Sequence, residues 1–145
     1  MFKSFFEYGE SQPEGALPRP VHVLCDDFAT GGRILNFPEY ISIFREKGLA
    51  VTLLVQSHSQ LESMYGRVDS TTIINNCDTY VYMGGMDLVT AREISERANL
   101  PLEEILYMPL GREFIFRRGM KPIQTERYQI RTDPEYQKWM EDQER

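Results

Sequence analysis

Two adjacent acids, Asp26-Asp27, close the apolar run Val21-His22-Val23-Leu24-Cys25. A single amide, Gln56, closes a second run, Leu49-Ala50-Val51-Thr52-Leu53-Leu54-Val55. Paired carboxylates suit a bound divalent cation. The first acid holds the ion, commonly through water, and the second stands close enough to orient or deprotonate an attacking water. The glutamine amide donates and accepts at once, which suits sensing a phosphate oxygen beside that water. Each group also has an ordinary alternative: Asp26 and Asp27 as a solvated strand end, Gln56 as a polar strand end or a cap.

The elements that must position these groups follow from the pattern around them. Apolar, β-branched runs that stop abruptly at polar residues are buried parallel strands. Doubly wound sheets bind ligands at the carboxyl ends of their strands, which assigns both tips to one pocket. Between the runs, Asn36-Phe37-Pro38 reads as a helix start with a cap and an early proline. Phe37, Tyr40, Ile41 and Phe44 form one apolar face, and Gly48 follows the last turn. The result is a strand, helix, strand unit with a right-handed crossover.

Further along, Ser59-Gln60-Leu61-Glu62 reads as a capping box for a short helix ending at Tyr65-Gly66. Asp69 or Ser70 caps a second short helix through Ile73 and Ile74, and Thr79 to Met83 forms a third buried strand. Asp87 caps a helix through Ala91, Ile94 and Ala98 that closes before Pro101. Past Pro109 the pattern alternates over Glu113 to Arg117, turns at Gly119-Met120 and returns over Lys121 to Glu126, a β-hairpin. Residues 9–20 hold three prolines and two glycines and read as a loop. Asp133 to Arg145 is a capped helix with Tyr136, Trp139 and Met140 on one side.

Composition sets the outer bounds. A chain of 145 residues with 41% hydrophobic and 26% charged residues is one ordinary globular domain. No apolar run approaches the ~18 residues of a membrane span, and the aromatic start, Met1 to Glu7, is too short and too soon acidic for a signal peptide. Cys25 and Cys77 lie in apolar stretches without metal-ligand spacing, and read as reduced core thiols. The net charge of −6 argues against a chain that coats nucleic acid by itself.

An apolar strand ending in two acids is the Walker B arrangement of P-loop nucleotidases. Four blocks in order carry a closer resemblance. They are Cys25-Asp26-Asp27-Phe28-Ala29-Thr30-Gly31-Gly32, Arg45-Glu46-Lys47-Gly48-Leu49, Gln56-Ser57-His58-Ser59-Gln60-Leu61 and Asn76-Cys77. Over about Pro18 to Arg127 the chain resembles the C-terminal half of the TraG/TraD-type coupling ATPases of conjugation and type IV secretion. The resemblance implies an α/β, RecA-like P-loop NTPase fragment, with parallel strands flanked by helices and a C-terminal β-hairpin. It divides the chain into an N-terminal loop or truncated segment (1–20), the C-terminal half of the ATPase domain (21–127) and a tail with a short helix (128–145).

The same resemblance implies roles. Asp26 takes the Mg²⁺-associated position, Asp27 the water-activating one, Gln56 the γ-phosphate sensor, and Arg45 the finger given to the neighbouring subunit's nucleotide. An exposed helical arginine is the plain reading of Arg45. Asn76 has no implied role beyond capping. The implied cofactors are ATP and Mg²⁺. The implied assembly is a homo-hexamer acting on single- or double-stranded DNA and a relaxase, with type IV secretion channel components. Attachment to the cytoplasmic side of the inner membrane would be through an N-terminal region.

Two departures qualify this. Aspartate at 27 fills a slot usually held by glutamate, so the base stands one methylene farther back. No Gly-x-x-x-x-Gly-Lys-Ser/Thr loop occurs, so the chain reads as a fragment that hydrolyses no ATP and binds it weakly. The missing phosphate-loop strand is expected to leave open edges, filled by residues 2–8 or by non-native dimerisation. Other readings are a DNA translocase of another lineage, such as the chromosome-partitioning pumps, and a non-catalytic interaction module. Arg112, Arg117, Arg118 and Lys121 around the hairpin read as a solvated face before a DNA patch.

Overall fold

The computed structural model describes residues 1–143. The two apolar runs form strands β1 (Val21–Cys25) and β2 (Leu49–Leu53), paired in parallel with Val21 opposite Leu49 and Cys25 opposite Leu53. Alternation decides their faces. Val21, Val23, Cys25, Leu49, Val51 and Leu53 turn to the core, and Leu24, on the other face, is 68% exposed. Helix α2 (Phe37–Ile43) makes the crossover and lays its aromatic face on that core. Asn36 stands at its N-cap in a left-handed conformation but makes no side-chain cap bond, so the expected cap is positional only.

An additional helix, α1 (Phe2–Glu10), precedes the loop. Phe2 sits 5.3 Å from the Phe37 ring and 5.4 Å from Phe44, and Phe6 lies 5.6 Å from Tyr40. Phe2, Phe5 and Phe6 are spaced i, i+3, i+4, one helical face, and that face finds α2. Residues 2–8 therefore cover α2 rather than entering the sheet, which corrects the expectation that they take a strand's place.

Helix α3 (His58–Tyr65) begins two residues earlier than expected. Its cap is Ser57, whose hydroxyl accepts from the Gln60 N–H at 3.1 Å. The cap is thus Ser57 alone rather than a Ser59 capping box, and the Ser59 hydroxyl donates to Asp87 instead. Helix α4 (Arg67–Asn75) starts directly after Gly66. Asp69 is inside its first turn and pairs with Arg33 at 2.8 Å, and the Ser70 hydroxyl donates back to Arg67 O, so neither residue is the cap. Asn76 closes α4 as its C-cap and donates to Thr72 O at 2.9 Å.

The expected third strand forms, and it pairs in a second sheet. β3 (Thr79–Tyr82) lies antiparallel to β4 (Arg112–Arg117), which lies antiparallel to β5 (Ile123–Glu126). Among the described residues the result is one two-stranded and one three-stranded sheet. β3 is half-exposed rather than buried, with Tyr80 and Tyr82 turned inward and Val81 outward. Helices α5 (Leu88–Ala98) and α6 (Leu102–Leu106) cover this second sheet through Ala91, Ile94 and Ile105. The α/β class and the C-terminal antiparallel hairpin stand as expected.

A 3₁₀ turn (Ile130–Thr132) leads to α7 (Pro134–Gln143), capped by Asp133, whose carboxylate accepts from the Glu135 and Tyr136 N–H groups. The last two positions of the expected terminal helix lie outside the described residues. Tyr136 and Trp139 pack on each other, and Trp139 stays exposed rather than joining a core. Among the described residues no helix is long and apolar enough to cross a membrane.

Candidate functional site

Strand β1 ends and the chain turns sharply at Asp26 and Asp27. Asp27 takes φ of 46°, a left-handed conformation that Asp and Asn tolerate better than other L-residues. The turn is tied down on every side. Asp26 Oδ1 accepts from the Asp27 N–H at 3.0 Å, and Thr30 donates to Asp27 O through its N–H at 2.8 Å and its hydroxyl at 2.7 Å. Behind it Phe28 is buried against Phe37 at 4.7 Å and Tyr65 at 5.7 Å, which anchors the loop and leaves both carboxylates facing solvent.

Pairing continues past the strands. Leu54 N–H donates to Cys25 O and Phe28 N–H to Leu54 O, each at 2.9 Å. The Asp27 turn is thereby locked to the end of β2, where Gln56 stands. Gln56 Nε2 lies 3.5 Å from Asp27 Oδ1, the outer limit of a hydrogen bond. The two sequence-predicted tips thus meet at one edge.

Arg45 is elsewhere. It is exposed in the turn between α2 and β2, where its carbonyl accepts from the Gly48 N–H at 3.2 Å. Its place at the amino end of β2 puts it a strand length, roughly 16 Å at ~3.3 Å per residue, from the Asp27 and Gln56 edge. It cannot serve the edge of its own chain.

The donor set suits a cation only in part. Among the described residues no group of three His, Cys, Asp or Glu side chains is placed to hold a metal ion. Asp26 and Asp27 offer two carboxylates open to water, which fits a hydrated Mg²⁺ held through its waters rather than an all-protein cage. Burial pushes the thiols of both Cys25 and Cys77 up from the usual value, which disfavours the thiolate.

Behind Gln56 lies a group of polar side chains in which Asp87, the cap of α5, meets partners that no local pattern marks. His58 is 1% exposed; its Nε2 is 2.9 Å from the Tyr80 hydroxyl, and its Nδ1 is 2.6 Å from Glu93 Oε2, off the axis of a hydrogen bond. Burial raises the Tyr80 phenol well above its ordinary value, opposed by Arg97, whose guanidinium stands 5.7 Å over the ring. Asp87 is lowered, chiefly by the hydroxyl and N–H of Thr90 and then by Ser59. His58, Glu93, Arg97 and Ser70 line a cleft of about 260 Å³ between α3, α4 and α5. The one available signal was the polar run Gln56-Ser57-His58-Ser59 directly after an apolar strand.

The hairpin arginines are partly neutralised. Arg117 and Arg118 both lie 3.8 Å from Asp78, and Arg112 lies 3.6 Å from Glu126, as on a solvated hairpin face.

Residues 20–98 match the family model described as the TraM recognition site of TraD and TraG. No curated protein sequence matches. Among solved structures the chain is similar to the bacterial conjugative coupling protein TrwBdeltaN70 in its unbound monoclinic form, with TM-score 0.74 and 18% identity, over 88% of this chain and 36% of that one. It is also similar to the plasmid coupling protein TrwB bound to the non-hydrolysable ATP analogue ADPNP, with TM-score 0.73, 20% identity and coverage of 86% and 34%. TrwB with ADP and Mg²⁺ matches at TM-score 0.70, 20% identity and coverage of 83% and 33%. The chain thus spans about a third of these proteins, and the likeness shows the fold.

Proposed function

The chain belongs to the TraG/TraD coupling-protein family, and from that premise we propose that it forms the Walker B and γ-phosphate-sensing half of an ATP-driven DNA-transfer motor. The observation that carries the reading is the meeting of Asp27 and Gln56 at the shared carboxyl edge of parallel β1 and β2. Asp26 holds Mg²⁺ through water, Asp27 orients the attacking water, and Gln56 bonds the γ-phosphate. The phosphate loop comes from outside residues 1–145, so this chain alone hydrolyses no ATP and binds it weakly. Nucleotide and Mg²⁺ in TrwB support the choice of cofactors.

Arg45, at the far end of β2, acts on the neighbouring subunit of a homo-hexamer, which moves single- or double-stranded DNA and its relaxase toward the type IV secretion channel. The motor sits on the cytoplasmic side of the inner membrane through a region outside this chain. Residues 21–127 are the motor unit and residues 128–145 a tail. The description of the matched family as a recognition site also favours a second reading, a non-catalytic module that binds a transfer partner.

The test joins the chain to a phosphate-loop segment from a structurally matched coupling protein and measures Mg²⁺-dependent ATP hydrolysis with and without DNA. DNA-stimulated turnover lost in Asp27→Asn and Gln56→Ala is the expected result. Folded protein whose turnover ignores both substitutions overturns the motor reading and leaves the binding module.

A further inference from the structure

The segment that carries Gln56 is gripped from behind by a polar seam. Thr90 Oγ1 accepts from the His58 N–H at 2.9 Å and donates to Asp87 Oδ2 at 2.7 Å. The Thr90 N–H donates to the same oxygen at 2.9 Å, and the Ser59 hydroxyl donates to Asp87 Oδ1 at 2.7 Å. His58 and Thr90 are buried, so these partners are obligatory: a buried donor stripped of its acceptor is left with an uncompensated desolvation cost.

The seam runs between two separate hydrophobic clusters. One surrounds β1, β2, α2, α3 and α4, and the other surrounds β3, β4, α5 and α6. Apolar contacts are non-directional, whereas hydrogen bonds fix angle and register. The seam therefore sets how Ser57, His58 and Ser59 lie against α5. Gln56 precedes Ser57 directly, and its own bond to Asp27 is too long to hold it. Its position is inherited from β2 on one side and from the seam on the other.

We propose that Thr90 and Asp87 are positioning residues for Gln56: they hold Ser57 to Ser59, set the spacing between Gln56 and Asp27, and tie that spacing to α5 and the antiparallel sheet. The proposal rests on reading Gln56 as the γ-phosphate-sensing amide. It gives the β3, β4, β5 sheet a mechanical link to the nucleotide edge.

The test is nuclear magnetic resonance on the 145-residue chain. Thr90→Val keeps the side-chain shape and removes the hydroxyl. It is expected to speed exchange of the His58 amide at least about tenfold and to move the Gln56 side-chain NH₂ resonances, with Thr90→Ser restoring both. Ile94→Val weakens the packing of α5 without touching the seam and is expected to leave the Gln56 resonances in place. Where Thr90→Val fails to fold, Asp87→Asn, whose single oxygen keeps the cap on Thr90 and leaves the Ser59 hydroxyl without its acceptor, is read by the same Gln56 resonances. Unmoved Gln56 resonances in a folded seam variant, or an equal movement in Ile94→Val, overturn the proposal.

In the phosphate-loop fusion, Thr90→Val is expected to lower kcat with KM for ATP unchanged. Should Gln56→Ala leave that turnover intact, the sensor reading falls, while the resonances still decide whether the seam positions Gln56.

Discussion

Gln56 Nε2 stands 3.5 Å from Asp27 Oδ1 across 29 positions of sequence. The contact exists because pairing of β1 with β2 runs past the last strand residues, through Leu54 to Cys25 and Phe28 to Leu54. Asp27 makes this contact from a left-handed conformation, φ 46°, so its backbone demand and its side-chain chemistry can be tested apart. Asp27→Asn is expected to keep stability within about 0.5 kcal/mol, since Asn also tolerates that conformation, and to abolish hydrolysis in the phosphate-loop fusion. Asp27→Val is expected to cost about 1–2 kcal/mol in urea unfolding. Equal stabilities of the two variants would refute the argument from backbone strain.

Phe37 is fully buried and touches the rings of Phe2, Phe28, Phe44 and Tyr65. Phe37→Ala is expected to destabilise the chain by about 3–5 kcal/mol in urea. Because Phe2 packs on the same ring, Phe2→Ala and Phe37→Ala are expected to be non-additive by about 0.5 kcal/mol or more. Strict additivity would mean that α1 does not rest on α2 in solution.

Two groups link stability to pH in opposite directions. Asp87 is held below its ordinary 3.8 by Thr90 and Ser59, so below that value the unfolded chain takes up protons before the folded one. Its contribution is present above pH 3.8 and is lost as pH falls through the folded value. Tyr80 is raised above its ordinary 10.0 by burial, so above pH 10 the unfolded phenol ionises first and stability falls as pH rises. Asp87→Asn is expected to flatten the acid limb of a Tm-against-pH curve and Tyr80→Phe the alkaline limb. A limb left unchanged in its own variant would remove that group from the linkage.

Arg45 lies at the opposite end of β2 from Gln56 and is exposed. Arg45→Ala is expected to leave Tm unchanged and, in the assembled fusion, to cut turnover by ~10³-fold, the scale of arginine fingers. Mixing Arg45→Ala subunits with Gln56→Ala subunits is expected to recover activity, because one interface then holds both intact residues. Recovery absent at every mixing ratio, in oligomers shown to exchange subunits, would place Arg45 outside catalysis.

The positions of β1, β2, α2, α5 and the hairpin were legible because each carries a clean period. Asp26, Asp27 and Gln56 were legible for the same reason: polar groups end apolar strands where water begins. α1 was missed although Phe2, Phe5 and Phe6 share a face, because nine residues make a marginal helix until α2 supplies a surface. The shift of the cap from Ser59 to Ser57 depended on Asp87, which claims the Ser59 hydroxyl from 28 positions away.

By itself the sequence determined the α/β class, the two strand tips and the acid and amide upon them, since these follow from local hydrophobic period and residue chemistry. Only the tertiary structure decided that β3 pairs with β4 and not beside β2, that Arg45 stands apart from the edge, and that His58, Thr90 and Asp87 are bonded to one another behind the Gln56 segment. Backbone pairing and buried hydrogen bonds join residues far apart in the chain, and no local pattern records which distant partner satisfies a given N–H or carboxylate.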